Sequence, residues 1–85
     1  KLMKVLYFAW LRERIGASMD EFDLPEEVRT VGELVDYLKT KGENYSEAFS
    51  HKKVIRAAVN LEYVSFDYKL INKDEIAFFP PVTGG

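Results

Sequence analysis

Apolar side chains occupy nearly every position from Val5 to Leu11, which predicts a β-strand covered on both faces, near the centre of a sheet. The following residues 12–15 mix charged and apolar side chains and predict one or two helical turns that end at Gly16. Apolar and acidic residues alternate over residues 21–24. This alternation indicates a second strand, which Pro25 terminates.

The clearest helix signal begins at Thr30. Thr30 and Glu33 have the spacing of a capping box, in which each side chain binds the free backbone N–H of the other residue. Gly42 is expected to end the helix. One apolar stripe runs along it at positions i, i+3, i+4 and i+7: Val31, Leu34, Val35 and Leu38. This stripe should pack on one face of the sheet.

The rest of the chain contains shorter elements. Residues 43–53 are mostly polar and predict a short helix or an irregular loop. Three predicted strands follow, over residues 54–59, 63–66 and Glu75–Phe79, with turns at residues 60–62 and 72–74.

The order of strand, strand, helix and three strands predicts an α+β fold. It matches the β-grasp, or ubiquitin-like, arrangement, a mixed sheet of about five strands with one main helix packed on one face. In that arrangement the first and last strands lie side by side at the centre. We expect residues 1–81 to form this single domain and residues 82–85 to form a flexible tail.

Composition and charge exclude several classes of site. None of the 85 residues is cysteine, so no disulfide, thiol nucleophile or thiolate metal site is available. His51 is the only histidine, and nothing in the sequence places it near a serine for a catalytic triad. The net charge of −2 argues against nucleic acid as a partner. We expect no metal, no bound cofactor and a cytoplasmic location, since no signal peptide and no apolar run of about 18 residues is visible.

The last residues of the sequence carry the candidate chemistry. Pro80 and Pro81 cannot continue a β-ladder because neither has an N–H to donate, so Val82 and Thr83 should project from the domain. Gly84-Gly85 has no side chains and could pass through a narrow channel. The Gly85 carboxylate needs activation, for which adenylation by ATP on a partner enzyme is the obvious route. A sulfur nucleophile would then give a thiocarboxylate and an amine would give an amide, and the residues alone leave both open.

Four segments resemble the small subunits of molybdopterin synthase (the MoaD family): residues 74–85, residues 4–13, residues 30–34, and residues 57–60 with Tyr63-Val64. The resemblance covers nearly the whole chain, and Trp10 is its main departure. It implies that a ubiquitin-activating-like enzyme adenylates Gly85, which then becomes a thiocarboxylate. The tail would enter the large subunit of a heterotetramer and donate its sulfur to the cyclic pyranopterin precursor. Catalytic side chains would belong to the large subunit.

The same resemblance places the partner interface on Phe8, Tyr63 and Phe79. The sheet face away from the helix should be the docking surface. Alternation agrees, since Leu6 and Phe8 share one face of the first strand and Ala77 and Phe79 share one face of the last. The alternative is that the three aromatic residues belong to the core.

Other functions stay open. A sulfur carrier of another pathway, such as thiamine synthesis, has a similar fold and ending, although the residues 78–83 argue against it. A ubiquitin-like modifier joined to lysines, or an interaction domain without covalent chemistry, would also fit.

The remaining candidates have simpler interpretations: His51 as a surface residue, Lys52, Lys53 and Arg56 as a solvated face, Arg12 as a helix cap or partner contact, Trp10 as buried packing, and the acidic Asp20, Glu21, Asp23, Glu26 and Glu27 as a solvated loop.

Overall fold

The computed structural model describes residues 2–81, and within them one five-stranded mixed sheet carries the helices on one side. Its strands are β1 (Met3–Tyr7), β2 (Met19–Phe22), β3 (Arg56–Val59), β4 (Glu62–Val64) and β5 (Glu75–Phe79). Their order across the sheet is β2-β1-β5-β3-β4, and only the β1–β5 pair is parallel. The prediction that the first and last strands are neighbours inside the sheet is confirmed. The predicted tail, residues 82–85, lies outside the described residues.

Three α-helices and one short 3₁₀ turn complete the fold: α1 (Ala9–Ile15), α2 (Val31–Lys39), α3 (Glu43–Phe49) and the 3₁₀ turn (Lys52–Val54). The predicted capping box of α2 is present. The Glu33 N–H donates to Thr30 Oγ1 at 3.1 Å, and the Thr30 N–H donates to Glu33 Oε1 at 3.2 Å. The four residues of the predicted stripe are buried. Gly42, however, precedes α3 rather than ending α2, which stops at Lys39.

The predicted first strand was wrong in its extent. β1 ends at Tyr7, and Leu11 belongs to α1, where it is buried four residues before the buried Ile15. A spacing of four residues on one helix face explains why the apolar run continues beyond the strand. The prediction that this strand is covered on both faces was also wrong, because Val5 and Tyr7 are buried while Leu6 is half-buried.

Three other strands differ from prediction in their bounds. β3 begins at Arg56 rather than at residue 54, because Val54 belongs to the 3₁₀ turn. β2 begins at Met19 and ends at Phe22, two residues earlier than predicted, because Met3 pairs with Phe22. β4 ends at Val64 because the next residues turn toward the start of α2. There the Phe66 carbonyl accepts the Gly32 N–H at 2.7 Å. Backbone groups that would have extended the ladder therefore satisfy the helix N-terminus instead.

The core lies between the sheet and the helices. Phe49 of α3 packs edge-on against Tyr7 and Phe78, with ring centroids 6.3 and 5.1 Å apart. The three side chains are almost completely buried and join β1, β5 and α3. Within residues 2–81, no helix has the length and apolar character needed to cross a membrane.

Candidate functional site

The candidate site lies at the end of the sheet where the chain leaves β5. Phe79 is the last strand residue, and Pro80 and Pro81 follow it, both half-buried. Phe79 pairs with Arg56 of β3, and on the other side the Phe8 N–H donates to the Phe78 carbonyl at 3.1 Å. The chain therefore leaves the sheet between the end of β1 and the start of β3. The predicted site residues Val82, Thr83, Gly84 and Gly85 lie outside the described residues.

An apolar row crosses the outer face of the sheet, the face without helices. Strand register places one residue of each strand in this row: Met19, Leu6, Ala77, Ala58 and Tyr63, in order from β2 to β4. Tyr63 is 75% exposed and Met19 43% exposed. Ala77 and Ala58 lie between them, and their short side chains project less from the sheet than those at the ends of the row. The row is exposed at its two ends, half-buried at Leu6 and Ala77, and buried at Ala58. Apolar side chains exposed on one face of a sheet are typical of a protein interface.

The three predicted interface residues lie at or beside this row. The rings of Tyr63 and Phe79 contact each other, with centroids 5.4 Å apart and planes at 42°. Phe8 lies at the end of β1, one position beyond the strand, and is 44% exposed. The alternative that all three belong to the core is therefore wrong for Tyr63 and Phe8. Their contact with a partner stays a prediction.

A charged row runs parallel to the apolar row, at the opposite end of the strands. Lys4 of β1 pairs with Glu21 on one side and with Glu75 on the other. Because β1 and β5 are parallel, this row lies beside the start of β5, whereas Phe79 and the prolines lie at its end. The outer face is thus apolar and aromatic next to the departing chain and charged away from it. An apolar centre with a charged margin is the usual composition of an interface.

A partly buried polar cluster supports the end of β1 from the inner side of the sheet. Asp20 Oδ2 accepts hydrogen bonds from the hydroxyl groups of Tyr7 at 2.9 Å and Tyr45 at 2.8 Å. Burial, together with the neighbouring Asp20, raises the pKa of Tyr7 well above its usual range. Burial and the hydrogen bond to Asp20 raise the pKa of Tyr45 to about 12. The prediction that Asp20 belongs to a solvated acidic loop was wrong, because its carboxylate connects β1, β2 and α3.

A cluster of side chains at the surface surrounds His51, which is exposed as predicted. Arg14 Nη1 lies 3.2 Å from Glu47 Oε2 and 3.1 Å from His51 Nε2. The Arg14 guanidinium also lies over the Trp10 ring at 5.2 Å, so Trp10 is half-buried at the surface rather than fully buried. Arg12 is exposed, and its carbonyl accepts the Gly16 N–H that ends α1. Among the described residues, the polar side-chain contacts of His51 are Arg14 and Glu47, neither of which is the serine that a catalytic triad would require.

Comparison with known proteins gives consistent matches. The model of the ThiS family matches residues 5–85. The molybdopterin synthase sulfur carrier subunit of Escherichia coli is 40% identical over 84 residues, which are 99% of this chain and 100% of that protein.

Two solved structures extend the comparison. A putative molybdopterin converting factor subunit 1 from Pyrococcus furiosus is 35% identical with a TM-score of 0.76, covering 95% of this chain and 98% of that one. Small archaeal modifier protein 1 from H. volcanii is 26% identical with a TM-score of 0.74, at the same coverage. The ubiquitin-like β-grasp arrangement predicted from the sequence is confirmed.

Proposed function

The chain belongs to the ThiS family, and from this premise we propose that it is the sulfur-carrier subunit of a molybdopterin synthase. The observation that carries the proposal is the likeness to the E. coli protein of that name, which extends over the whole length of that relative. The family match also continues through Gly84 and Gly85, the two residues on which the proposed chemistry depends.

The proposed reaction takes place at the Gly85 carboxylate. A carboxylate oxygen attacks the α-phosphorus of ATP on an activating enzyme, and pyrophosphate leaves. A sulfur nucleophile then attacks the carbonyl carbon of the acyl-adenylate, AMP leaves, and a thiocarboxylate remains. The chain has no cysteine that could compete for the activated carbonyl. The sulfur is donated to the pyranopterin precursor within the large subunit, which supplies the catalytic side chains, and two carriers and two large subunits form the expected heterotetramer.

The geometry of the described residues suits this role. Pro80 and Pro81 follow directly on β5 and hold the backbone extended as the chain leaves the sheet. Four residues beyond Pro81 can reach at most about 13–14 Å. The apolar row crosses β5 at Ala77, two residues before Phe79, where the chain leaves the sheet. A partner seated on the row would therefore have its active site within reach of Gly85.

The decisive experiment combines truncation with intact-mass spectrometry. The full chain is incubated with the cognate activating enzyme, ATP and a sulfur source. We expect a mass gain equal to the exchange of one oxygen for one sulfur, mapped to Gly85. The matched control lacks Gly84 and Gly85, and it should gain no mass and support no molybdopterin formation, while its free energy of unfolding stays that of the full chain. Molybdopterin formation by the truncated chain would show that the proposed role is wrong.

A protein-modifier role is the second candidate. The likeness to small archaeal modifier protein 1 favours it, and the same acyl-adenylate would then be captured by a lysine amine to form an amide. Mass spectrometry of proteins from the native cell, searched for lysines linked to Gly85, tests this role separately. Conjugates without any thiocarboxylate would favour the modifier role over the carrier role.

A further inference from the structure

A groove with a basic rim lies beside the candidate docking surface, between the 3₁₀ turn and the β3–β4 edge of the sheet. Its volume is 330 Å³. Apolar side chains form most of its lining, and three cationic side chains stand at its margin. We call this feature the basic groove, and its members are Ile55, Ala57, Val64, Ser65 and Phe66 with Lys52, Lys53 and Arg56.

Packing and hydrogen bonds hold two of the three cations in place. Lys52 Nζ lies over the Phe66 ring at 5.3 Å from its centroid. Arg56 Nη1 donates to the carbonyl oxygens of Lys53 and Ile55, both at 3.2 Å. These contacts orient the guanidinium with backbone carbonyls, which do not cancel its positive charge.

In the part of the chain that the structure describes, no carboxylate lies within ion-pair distance of the rim. Within residues 2–81, the ion pairs closer than 4.0 Å are those of Arg14 and His51 with Glu47, and none involves the basic groove. The three cations are exposed, in a chain whose net charge is −2. A local positive field on an otherwise acidic molecule favours approach by a negatively charged surface.

The basic groove is continuous with the candidate docking surface. Arg56 pairs with Phe79 in the ladder between β3 and β5. Val64 and Ala57, which line the groove, face the side of the sheet opposite Tyr63 and Ala58. A partner seated on Tyr63 and Phe79 therefore reaches the groove past Arg56, around the edge of the sheet.

We infer that the basic groove binds an acidic segment of the large subunit, with an apolar side chain in the groove and carboxylates facing its three cations. This inference rests on the proposed function, to which it adds a second contact beside the apolar row. Exposed ion pairs contribute little to affinity individually, so the main effect of the groove is on the rate and orientation of association.

The test measures association of the carrier with the purified large subunit at low and at physiological ionic strength. The variant K52Q/K53Q/R56Q removes the rim charges. The matched control R29Q/K69Q/K73Q removes one arginine and two lysines at exposed positions outside the groove. We expect the rim variant to associate about tenfold more slowly at low salt, with a smaller difference at physiological salt, and the control to change by less than about twofold.

Three outcomes would overturn the inference. An unchanged association rate shows that the groove is solvated in the complex. An equal fall in the association rate of both variants shows an effect of net charge alone. Unchanged association with the large subunit, together with slower adenylation in a parallel assay with the activating enzyme, assigns the groove to a different partner. If the unmodified chain fails to bind the large subunit at all, the proposed function itself is wrong, and this wild-type measurement separates that failure from the other three.

Discussion

The two faces of the sheet are built from the same strands and serve different purposes. On β5, Ile76 and Phe78 face the helices and are completely buried, whereas Ala77 and Phe79 face outward and are only half-buried. Two adjacent phenylalanines therefore occupy opposite environments. The inner ring meets Phe49 at 5.1 Å, and the outer ring meets the exposed Tyr63 at 5.4 Å.

The residues that stabilise the fold are therefore distinct from those that remain available to a partner. Complete burial of a phenylalanine side chain contributes roughly 1.5–3 kcal/mol to folding, and the inner face collects most such contributions. The outer face carries a row of apolar side chains, and folding leaves the two at its ends, Met19 and Tyr63, exposed to solvent. An apolar surface retained next to the departing chain is best explained by a partner that covers it.

The largest expected effect comes from truncating the inner phenylalanine. F78A should lower the free energy of unfolding by about 3–5 kcal/mol, because it leaves a cavity against Phe49 at the centre of the core. Urea unfolding followed by circular dichroism measures this loss. F79A is the matched control, one residue away, and should cost about 1 kcal/mol or less. Equal destabilisation by the two variants would mean that the outer face also belongs to the core.

Truncation of Phe79 should affect binding to a partner more than it affects stability. F79A is expected to weaken binding to the large subunit by about 1–3 kcal/mol, since a partly buried aromatic residue beside an exposed tyrosine has the character of an interface anchor. Isothermal titration calorimetry measures the dissociation constant. I71A, which truncates an exposed apolar residue before the start of β5, serves as the control and should leave affinity unchanged. Full affinity in F79A would remove this residue from the interface.

Much of the fold could be predicted because local signals agreed with tertiary packing. The capping box and apolar stripe of α2, and the turn before β5, are encoded within a few residues. The end of β1 was missed because a continuous apolar run suits both a buried strand and a buried helix. In addition, Ala9 adopts a positive φ of 56° at the junction, and an alanine in the sequence gives no indication of such a conformation.

The candidate site was less predictable because it depends on contacts between distant segments. Phe8, Tyr63 and Phe79 were identified through family resemblance and alternation. The apolar row also needs Met19, which became visible only once the register of β1 and β2 was known. Asp20 was misassigned because its hydroxyl donors are 13 and 25 residues away in sequence. The basic groove likewise requires packing of the 3₁₀ turn beside Phe66.

The smallest expected effect concerns the polar cluster on the inner side, and it appears only at high pH. Tyrosine in the unfolded chain ionises near pH 10, whereas the pKa of Tyr45 in the folded protein is about 12 and that of Tyr7 is raised further. Between these values the folded state holds protons that the unfolded state has lost. Stability is therefore complete below pH 10 and falls as pH rises toward 12.

The urea midpoint, measured from pH 8 to pH 11.5, should decline above about pH 10. Y45F should reduce this decline without removing it, because Tyr7 keeps its hydrogen bond to Asp20. Y63F removes a tyrosine hydroxyl from the exposed outer face and is the matched control, for which we expect the wild-type pH dependence. If Y63F reduced the fall of the urea midpoint as much as Y45F, tyrosines on the inner and outer faces would contribute equally to the pH dependence of stability. A difference confined to Y45F would instead show that the inner face alone links folding to tyrosine ionisation.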